Sequence, residues 1–499
     1  MSNATCASPL EVPAAGFPVV EALAAAAVEY AGKPAVCRGE EVWTYDLLYR
    51  KAEAVRRWLA GVQGPVLFVA QNTPGSLAFL LGAIGGGKVP LLADPAWNAH
   101  ELGGIISRCG VRAVAWDGTP PAGLTCADVV SGPDGIGLCR VAACEGAGPA
   151  SRLRDDTAFG RFTSGTSGFA QCLQFRAEAA LAAAASWRQV AALSARDRVL
   201  CLATLNNGLA FNTSVLALLL SGGTLAFHPG RLVGGSLFRS LAAVRPTVLV
   251  AFPFVYELLV GRKGKSLEAP DLRLAVSSAA PLPEAVRDRW KEQTGLAVCD
   301  YYGLAEVGPC TFNDGSRPGS VGRALPGVCF TVTGEDGRDL PAGEVGRVRV
   351  KTRSMASDYL DAAGPPFSDN LDERGYYVTR DLGMLTPDGH LVLQGRTGRT
   401  VNVAGRKIDP TELEAALREM PGVEDAIVRG EEAAGRTVLA AYVESCTASP
   451  EAVVTFCRDR LAPYKVPHRV TVLPQLPRSS AGKISLGRID DLILKEVNP

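Results

Sequence analysis

At 499 residues the chain exceeds one ordinary domain, and with 47% apolar residues it can bury a large core. Its 51 basic residues balance 51 acidic ones, which argues against a nucleic-acid face or an anionic membrane surface as the main partner. Thirteen cysteines without a CxxC pair and four dispersed histidines (His100, His228, His390, His468) argue against a disulfide framework or a zinc site of recognisable spacing, so reduced cysteines in a cytoplasmic protein are expected. The first sixteen residues lack the basic-then-apolar order of a signal peptide, and the Ala-rich run over 20–28 carries Glu21, so no membrane span is expected.

Taken in chain order, residues 45–59 are apolar at helical spacing and 65–70 (PVLFVA) form a short buried-strand run. A helix over 76–84 and a strand over 88–92 follow. The same alternation resumes at 197–202, 223–227, 247–251 and 272–277, and this βαβα rhythm predicts a mainly parallel sheet covered by helices. From about residue 319 the pattern changes to short strands and turns (GEVGRVRV, GYYVTRDLGML, GHLVLQGR) that read as hairpins. After residue 395 comes a compact piece with a helix over 409–418, strands near Val423 and Val438, a helix over 450–461 and a Pro-rich tail strand.

Five motifs carry the chemistry. FTSGTSG, residues 162–168, combines Gly165 and Gly168 with the hydroxyls of Thr163, Ser164, Thr166 and Ser167. Small side chains let amide N–H groups converge on a phosphate, although a plain turn has the same composition. YYGLAE, residues 301–306, places aromatic rings, Gly303 and Glu306 together. A ring there can stack on a base and a carboxylate can hold Mg²⁺, but Tyr-Gly pairs are also common in loops. TRDLG, residues 379–383, followed by Gly395 and Arg396, offers Asp381 and Arg396 to sugar hydroxyls, or simply a hairpin with a surface ion pair. In GRKIDPTELE, residues 405–414, Asp409 before Pro410 reads as a helix N-cap. LPRSSAGKI, residues 476–484, sets Lys483 after a glycine, where a lone lysine is ordinarily solvated.

Together, in this order and spacing, the five motifs resemble the adenylate-forming superfamily of acyl-CoA synthetases, aryl-acid activating enzymes, non-ribosomal peptide synthetase adenylation domains and luciferases, over nearly the whole chain. The resemblance implies an α/β fold. A large N-terminal domain over 1–395 would hold packed β-sheets with helices, in βαβα layers with a small β-barrel-like part. A hinge over 396–399 and a small mobile C-terminal α+β domain over 400–499 would follow. It implies activation of a carboxylic acid by ATP as an acyl-adenylate, with Mg²⁺, and transfer of the acyl group to coenzyme A or a phosphopantetheine carrier. It also implies roles for the matching residues. Lys483 would bridge the carboxylate and the α-phosphate, Glu306 would hold Mg²⁺, and Thr163 to Gly168 would cradle phosphates. Tyr302 and Gly303, with Ser278, Ala279 and Ala280, would flank adenine, Asp381 and Arg396 would hold ribose, and Gly405, Arg406 and Lys407 would serve the thiol. Asn206, Asn207, Leu209, Phe211 and Ala305 would line a pocket for an apolar or aromatic acid with one polar group.

Three departures matter. Where the superfamily continues its phosphate loop with proline and lysine, this chain has Ala170 and Gln171, so a cation is missing there, and Arg161 and Arg176 are the neighbouring cations that stand to replace it. The hinge position two residues after Arg396 is Gly398, and the residue before Glu306 is Ala305 rather than threonine. Besides the full ligase, these leave a non-adenylating variant that takes a preformed acyl-adenylate to the thioester, a non-catalytic nucleotide or acyl-adenylate binder, and a luciferase-like oxidation on the same fold.

Overall fold

The computed structural model describes residues 5–6, 18–124, 127–141, 152–163, 170–261, 267, 269–361, 365–396, 401–433 and 435–477. Ser164, Gly165, Thr166, Ser167, Gly168, Gly398 with most of the expected hinge, and Lys483 lie outside the described residues. Two compact units are present: 1–95, 104–163 and 171–398 make one, and 96–103, 164–170 and 399–499 the other, in so far as those residues are described. No described helix is long and apolar enough to cross a membrane.

In the first unit the helix Tyr45–Trp58 buries Tyr45, Leu48, Ala52 and Val55 along one face. The Thr44 hydroxyl caps it by accepting from the Leu47 N–H at 3.4 Å, and Arg56 and Arg57 complement the dipole in its last turn. It packs on the helix Pro74–Gly85, whose start is set by Thr73 as N-cap and Pro74 in the first turn. The two backbones approach closely because Gly82 has no side chain: a Cβ there would lie 2.3 Å from the Ala52 carbonyl oxygen. The strands Ala113–Asp117, Val66–Val69, Pro90–Ala93 and Phe159–Thr163 run parallel in that spatial order at the centre of an eight-stranded sheet. Val66–Val69 and Pro90–Ala93 are buried at every position, which is why they read as continuous apolar runs.

A fourteen-stranded sheet changes character midway. Pro34–Arg38, Thr224–Phe227, Arg198–Cys201, Val248–Ala251, Leu274–Ser278 and Val298–Leu304 are parallel neighbours. From Val298–Leu304 onward the pairing turns antiparallel through Gly308–Asn313, Gly322–Ala324, His390–Arg396, Tyr377–Leu385, Gly346–Thr352 and Val328–Thr333. The main core of this unit includes Trp187, Phe159, Phe175, Phe211 and Tyr301, each contributing about 1.5–3 kcal/mol by burial.

The second unit has its own core, with Leu413, Leu417, Val428, Leu439 and Val453 at its centre. The strands Asp425–Ala433, Arg436–Glu444 and Arg469–Leu473 form a sheet. Asp409 caps the helix Pro410–Arg418 by accepting from the Thr411 N–H at 2.9 Å, and the helix Pro450–Arg460 follows.

One expectation is corrected. Cys139 and Cys329 each take part in a disulfide, whereas the sequence suggested only reduced cysteines. The backbone register sets position 329 opposite position 6, a pairing that spacing along the chain does not reveal.

Candidate active site

The parallel strands Leu274–Ser278 and Val298–Leu304 are in register so that Ser278 stands beside Tyr301. Thus the segment of Ser278, Ala279 and Ala280 leaves its strand next to the start of YYGLAE. Ala279 holds a left-handed backbone, φ 75°, an uncommon state for a residue with a Cβ and one that concentrates at functional turns. One residue on, the ladder bulges between Tyr302 and Gly303. A Cβ on Gly303 would lie 2.7 Å from the Gly308 carbonyl oxygen, so the bulge requires glycine there.

Tyr302 is buried, and its hydroxyl donates to an Asp381 carboxylate oxygen at 2.6 Å. Asp381 sits on Tyr377–Leu385, directly across the ladder from Arg396 on His390–Arg396. Its backbone N–H donates to the Thr379 hydroxyl at 3.0 Å. The residues expected at adenine and at ribose are therefore neighbours although 79 positions separate them in the chain. Glu306 follows the bulge in a turn, half-buried, with its carbonyl accepting from the Ala356 N–H at 2.8 Å. Ala305 is exposed. A single oxygen donor such as the Glu306 carboxylate fits Mg²⁺, which keeps several waters and substrate phosphates as its other ligands.

The phosphate-loop motif begins on Phe159–Thr163 and returns on Gln171–Phe175, two antiparallel strands in which Thr163 faces Gln171. Neither described cation replaces the missing lysine in a simple way. Arg176 is half-exposed and pairs with Asp156 at 2.8 Å. Arg161 is only 4% exposed. Its guanidinium carbon lies 4.5 Å from the Phe175 ring centre, 5.5 Å from that of Phe211 and 5.8 Å from that of Phe159. Burial pulls its pKa down to about 10, while Tyr301 and Glu306 pull the other way, so it remains charged at neutral pH.

The acyl-pocket candidates follow the strand Arg198–Cys201. Asn207 caps the next helical segment, accepting from the Leu209 N–H at 2.8 Å. The side-chain oxygen of Asn206 is buried without a hydrogen-bond partner among the described residues. Leu209 and Phe211 are buried, and Phe211–Val215 makes a π-helical turn, a feature frequent at functional sites. Arg161 belongs with this group: a Cβ on Gly208 would come within 2.8 Å of its Nη1. The sequence signal was an arginine on the same strand face as Phe159, that is, a charge at a core-facing position of an alternating strand.

In the second unit, Ala404 and Gly405 form a left-handed turn, φ 49° and 84°. The Gly405 N–H donates to the Asn402 side chain at 2.9 Å. Arg406 lies over the Tyr464 ring at 4.0 Å, and Lys407 stands opposite Asn402.

The AMP-binding enzyme family model matches residues 23–360 and the AMP-binding enzyme C-terminal domain matches 412–483, so the chain belongs to the AMP-binding, adenylate-forming family. The chain is 31% identical over 299 residues to the mitochondrial acyl-coenzyme A synthetase ACSM4 of Mus musculus, covering 56% of this chain and 51% of that protein. Against this synthetase the match spans about half the relative's length. It is 25% identical over 504 residues to the 3-hydroxybenzoate–CoA ligase of Aromatoleum sp. (strain CIB), covering 93% of this chain and 94% of that one. The o-succinylbenzoate CoA synthetase (MenE) of Bacillus subtilis shares the fold, with a TM-score of 0.81 at 20% identity, over 94% of this chain and 98% of the other.

Proposed function

We propose that this chain is an acid–thiol ligase. It would convert a carboxylic acid to its acyl-adenylate with ATP and then pass the acyl group to coenzyme A or to a carrier-bound phosphopantetheine thiol. The observation that supports the reading is the Tyr302–Asp381 contact with Arg396 opposite on the ladder, which brings together the residues expected to flank the base and to hold the ribose. Membership in the family and the relatives' names as CoA synthetases and ligases support it.

In the first step a carboxylate oxygen attacks the α-phosphorus, and the bond to pyrophosphate breaks. Two anions meet there, so preorganised positive charge dominates the barrier. Lys483 supplies the point charge between carboxylate and α-phosphate. Glu306 would hold Mg²⁺, which would supply neutralisation of phosphate charge. Thr163 to Gly168 orient the phosphates with N–H and hydroxyl donors, and Ser278 to Ala280 border the adenine. In the second step a thiolate sulfur attacks the acyl carbon and AMP leaves, with Gly405, Arg406 and Lys407 on the thiol side. The working division of the chain is 1–395, a hinge at 396–399, and 400–499.

Pyrophosphate exchange by the purified full chain over a broad acid panel tests the first step. Exchange with at least one acid, lost in Lys483→Ala, is the expected result. Absence of exchange across the panel with folded protein removes it. A second reading rests on Gln171, which faces Thr163 where the superfamily carries lysine. Here the protein takes only preformed acyl-adenylates to the thioester. Synthetic acyl-adenylates with coenzyme A, and gain of ATP turnover in Gln171→Lys, separate the two readings.

A further inference from the structure

Arg161 holds a charge in the interior of the first unit with no counter-charge in an ion pair with it among the described residues. It is 4% exposed, and its Nε and Nη1 are buried without hydrogen-bond partners among the described residues. Glu306 is near enough to act on it electrostatically, yet among the described residues Arg161 forms no ion pair. Three phenylalanine rings surround the guanidinium at 4.5–5.8 Å. Ring faces soften the cost of a buried cation, but they accept no N–H hydrogen bonds at carbonyl strength. An arrangement of this kind is expensive in the free protein and rational when a ligand completes it.

What completes it is set by the surroundings. Gly208, beside Nη1, opens the helical segment whose residues Leu209 and Phe211 are the acyl-pocket candidates. The neighbours are carbon-rich, with one polar side chain beside them: a Cβ on Gly208 would lie 3.8 Å from the Asn212 Nδ2. A triphosphate is bound by clustered backbone N–H groups and hydroxyls, which this aromatic box does not provide. A carboxylate is planar, takes two parallel N–H donors from a guanidinium, and can ride on an apolar chain or ring. The reacting carboxylate already has its cation in Lys483 under the ligase reading, so Arg161 is a second anchor for a second acidic group.

We propose that Arg161, admitted by Gly208 into the Phe159–Phe175–Phe211 box, is the specificity-determining residue of the acyl pocket and selects a dicarboxylic acid by pairing with the carboxylate that does not react. This rests on the acid–thiol ligase reading of the pocket.

The test compares acids on a shared skeleton: glutarate with valerate, which are of equal length, and terephthalate with benzoate, which share one ring. Binding to the full chain is measured by calorimetry with and without AMP, then thioester formation with ATP and coenzyme A, for the parent and for Arg161→Met and Arg161→Gln. The parent should bind each dicarboxylate roughly ten- to hundredfold more tightly than its monocarboxylate partner, as expected for a charge-assisted pair. Both variants should erase that preference while leaving valerate and benzoate within about twofold. Unliganded Arg161→Met should melt at or above the parent temperature, because it removes an unbalanced buried charge. A parent preference for the monocarboxylates, an equal loss for both classes in the variants, no dicarboxylate binding at all, or a large drop in melting temperature for both variants overturns the proposal. Arg161-dependent dicarboxylate binding without exchange or thioester formation would remove the ligase reading, and with it the acyl-pocket assignment, and keep only Arg161 as a dicarboxylate-binding residue.

Discussion

Each unit of this protein buries one cation deeply, and the two are treated in opposite ways. Among the described residues, Arg161 and Lys465 are the buried members of their types. Lys465 in the second unit is 3% exposed, and its ammonium donates to Glu412 at 2.6 Å and to Glu101 at 2.8 Å. Burial acts to lower its pKa, but the negative charge of Glu412, with Tyr464 and Glu101 behind it, outweighs that and drives it up. Arg161 in the first unit has aromatic faces in place of carboxylates. A buried charge paired within the fold is part of the scaffold. A buried charge left unpaired is a cost that folding alone does not repay, and it marks the place where a ligand is expected.

The largest effect should come from breaking the paired case. Lys465→Met leaves two carboxylates buried without their cation and should cost about 3–5 kcal/mol of stability in denaturant unfolding of the full chain. Arg161→Met, its counterpart, should cost nothing or stabilise. Equal losses in the two variants would erase the distinction between them.

A second paired charge extends the comparison into the first unit. Burial pushes the Asp197 carboxyl up, but hydrogen bonds from Arg273, Thr247 and the Ser194 backbone outweigh it and hold its pKa at about 2. A folded-state pKa below the unfolded one means that the stabilisation is fully present above about pH 4 and is lost as pH falls towards 2. Asp197→Asn should therefore cost about 2–3 kcal/mol at neutral pH. Its unfolding curve should converge on that of the parent at the acid end. A constant difference down to pH 2 would show that packing, not charge, is responsible.

Smaller effects probe the unpaired side. Gly208→Ala drives a Cβ to 2.8 Å from the Arg161 Nη1 and should cost about 1–3 kcal/mol, as overpacking does. The loss should appear mainly as weakened glutarate binding, with valerate little changed. An unchanged glutarate affinity would place the guanidinium's partner elsewhere. Tyr302→Phe removes the 2.6 Å donor to Asp381 and should weaken nucleotide binding by about 1 kcal/mol, roughly fivefold, in AMP titration. No change would mean that Asp381 is positioned by its other contacts.

Much of the architecture was legible. The strands at Val66–Val69 and Val248–Ala251 stood out because a strand buried on both faces must be apolar throughout. Asp409 before Pro410 announced the helix Pro410–Arg418 because capping chemistry is local. The motifs expected to meet a nucleotide were likewise visible as motifs, and the fold brings Ser278, Tyr302, Asp381 and Arg396 to neighbouring positions in one sheet. Less legible was the hydrogen bond that joins Tyr302 to Asp381. Equally hidden was the neighbourhood of Arg161, weighed from sequence only as a substitute for the phosphate-loop lysine. The Cys139 and Cys329 disulfides ran against the expectation drawn from spacing.

The amino-acid sequence by itself determined the elements, their order and the family, since periodicity, caps and short motifs are written in residues a few positions apart. Tertiary structure alone decided which charges are balanced and which are held open. Glu412 reaches Lys465 across 53 positions, while Phe175 from a strand and Gly208 and Phe211 from a helical segment close around Arg161. Electrostatic balance depends on distance and burial in space, and neither is a property of neighbours along the chain.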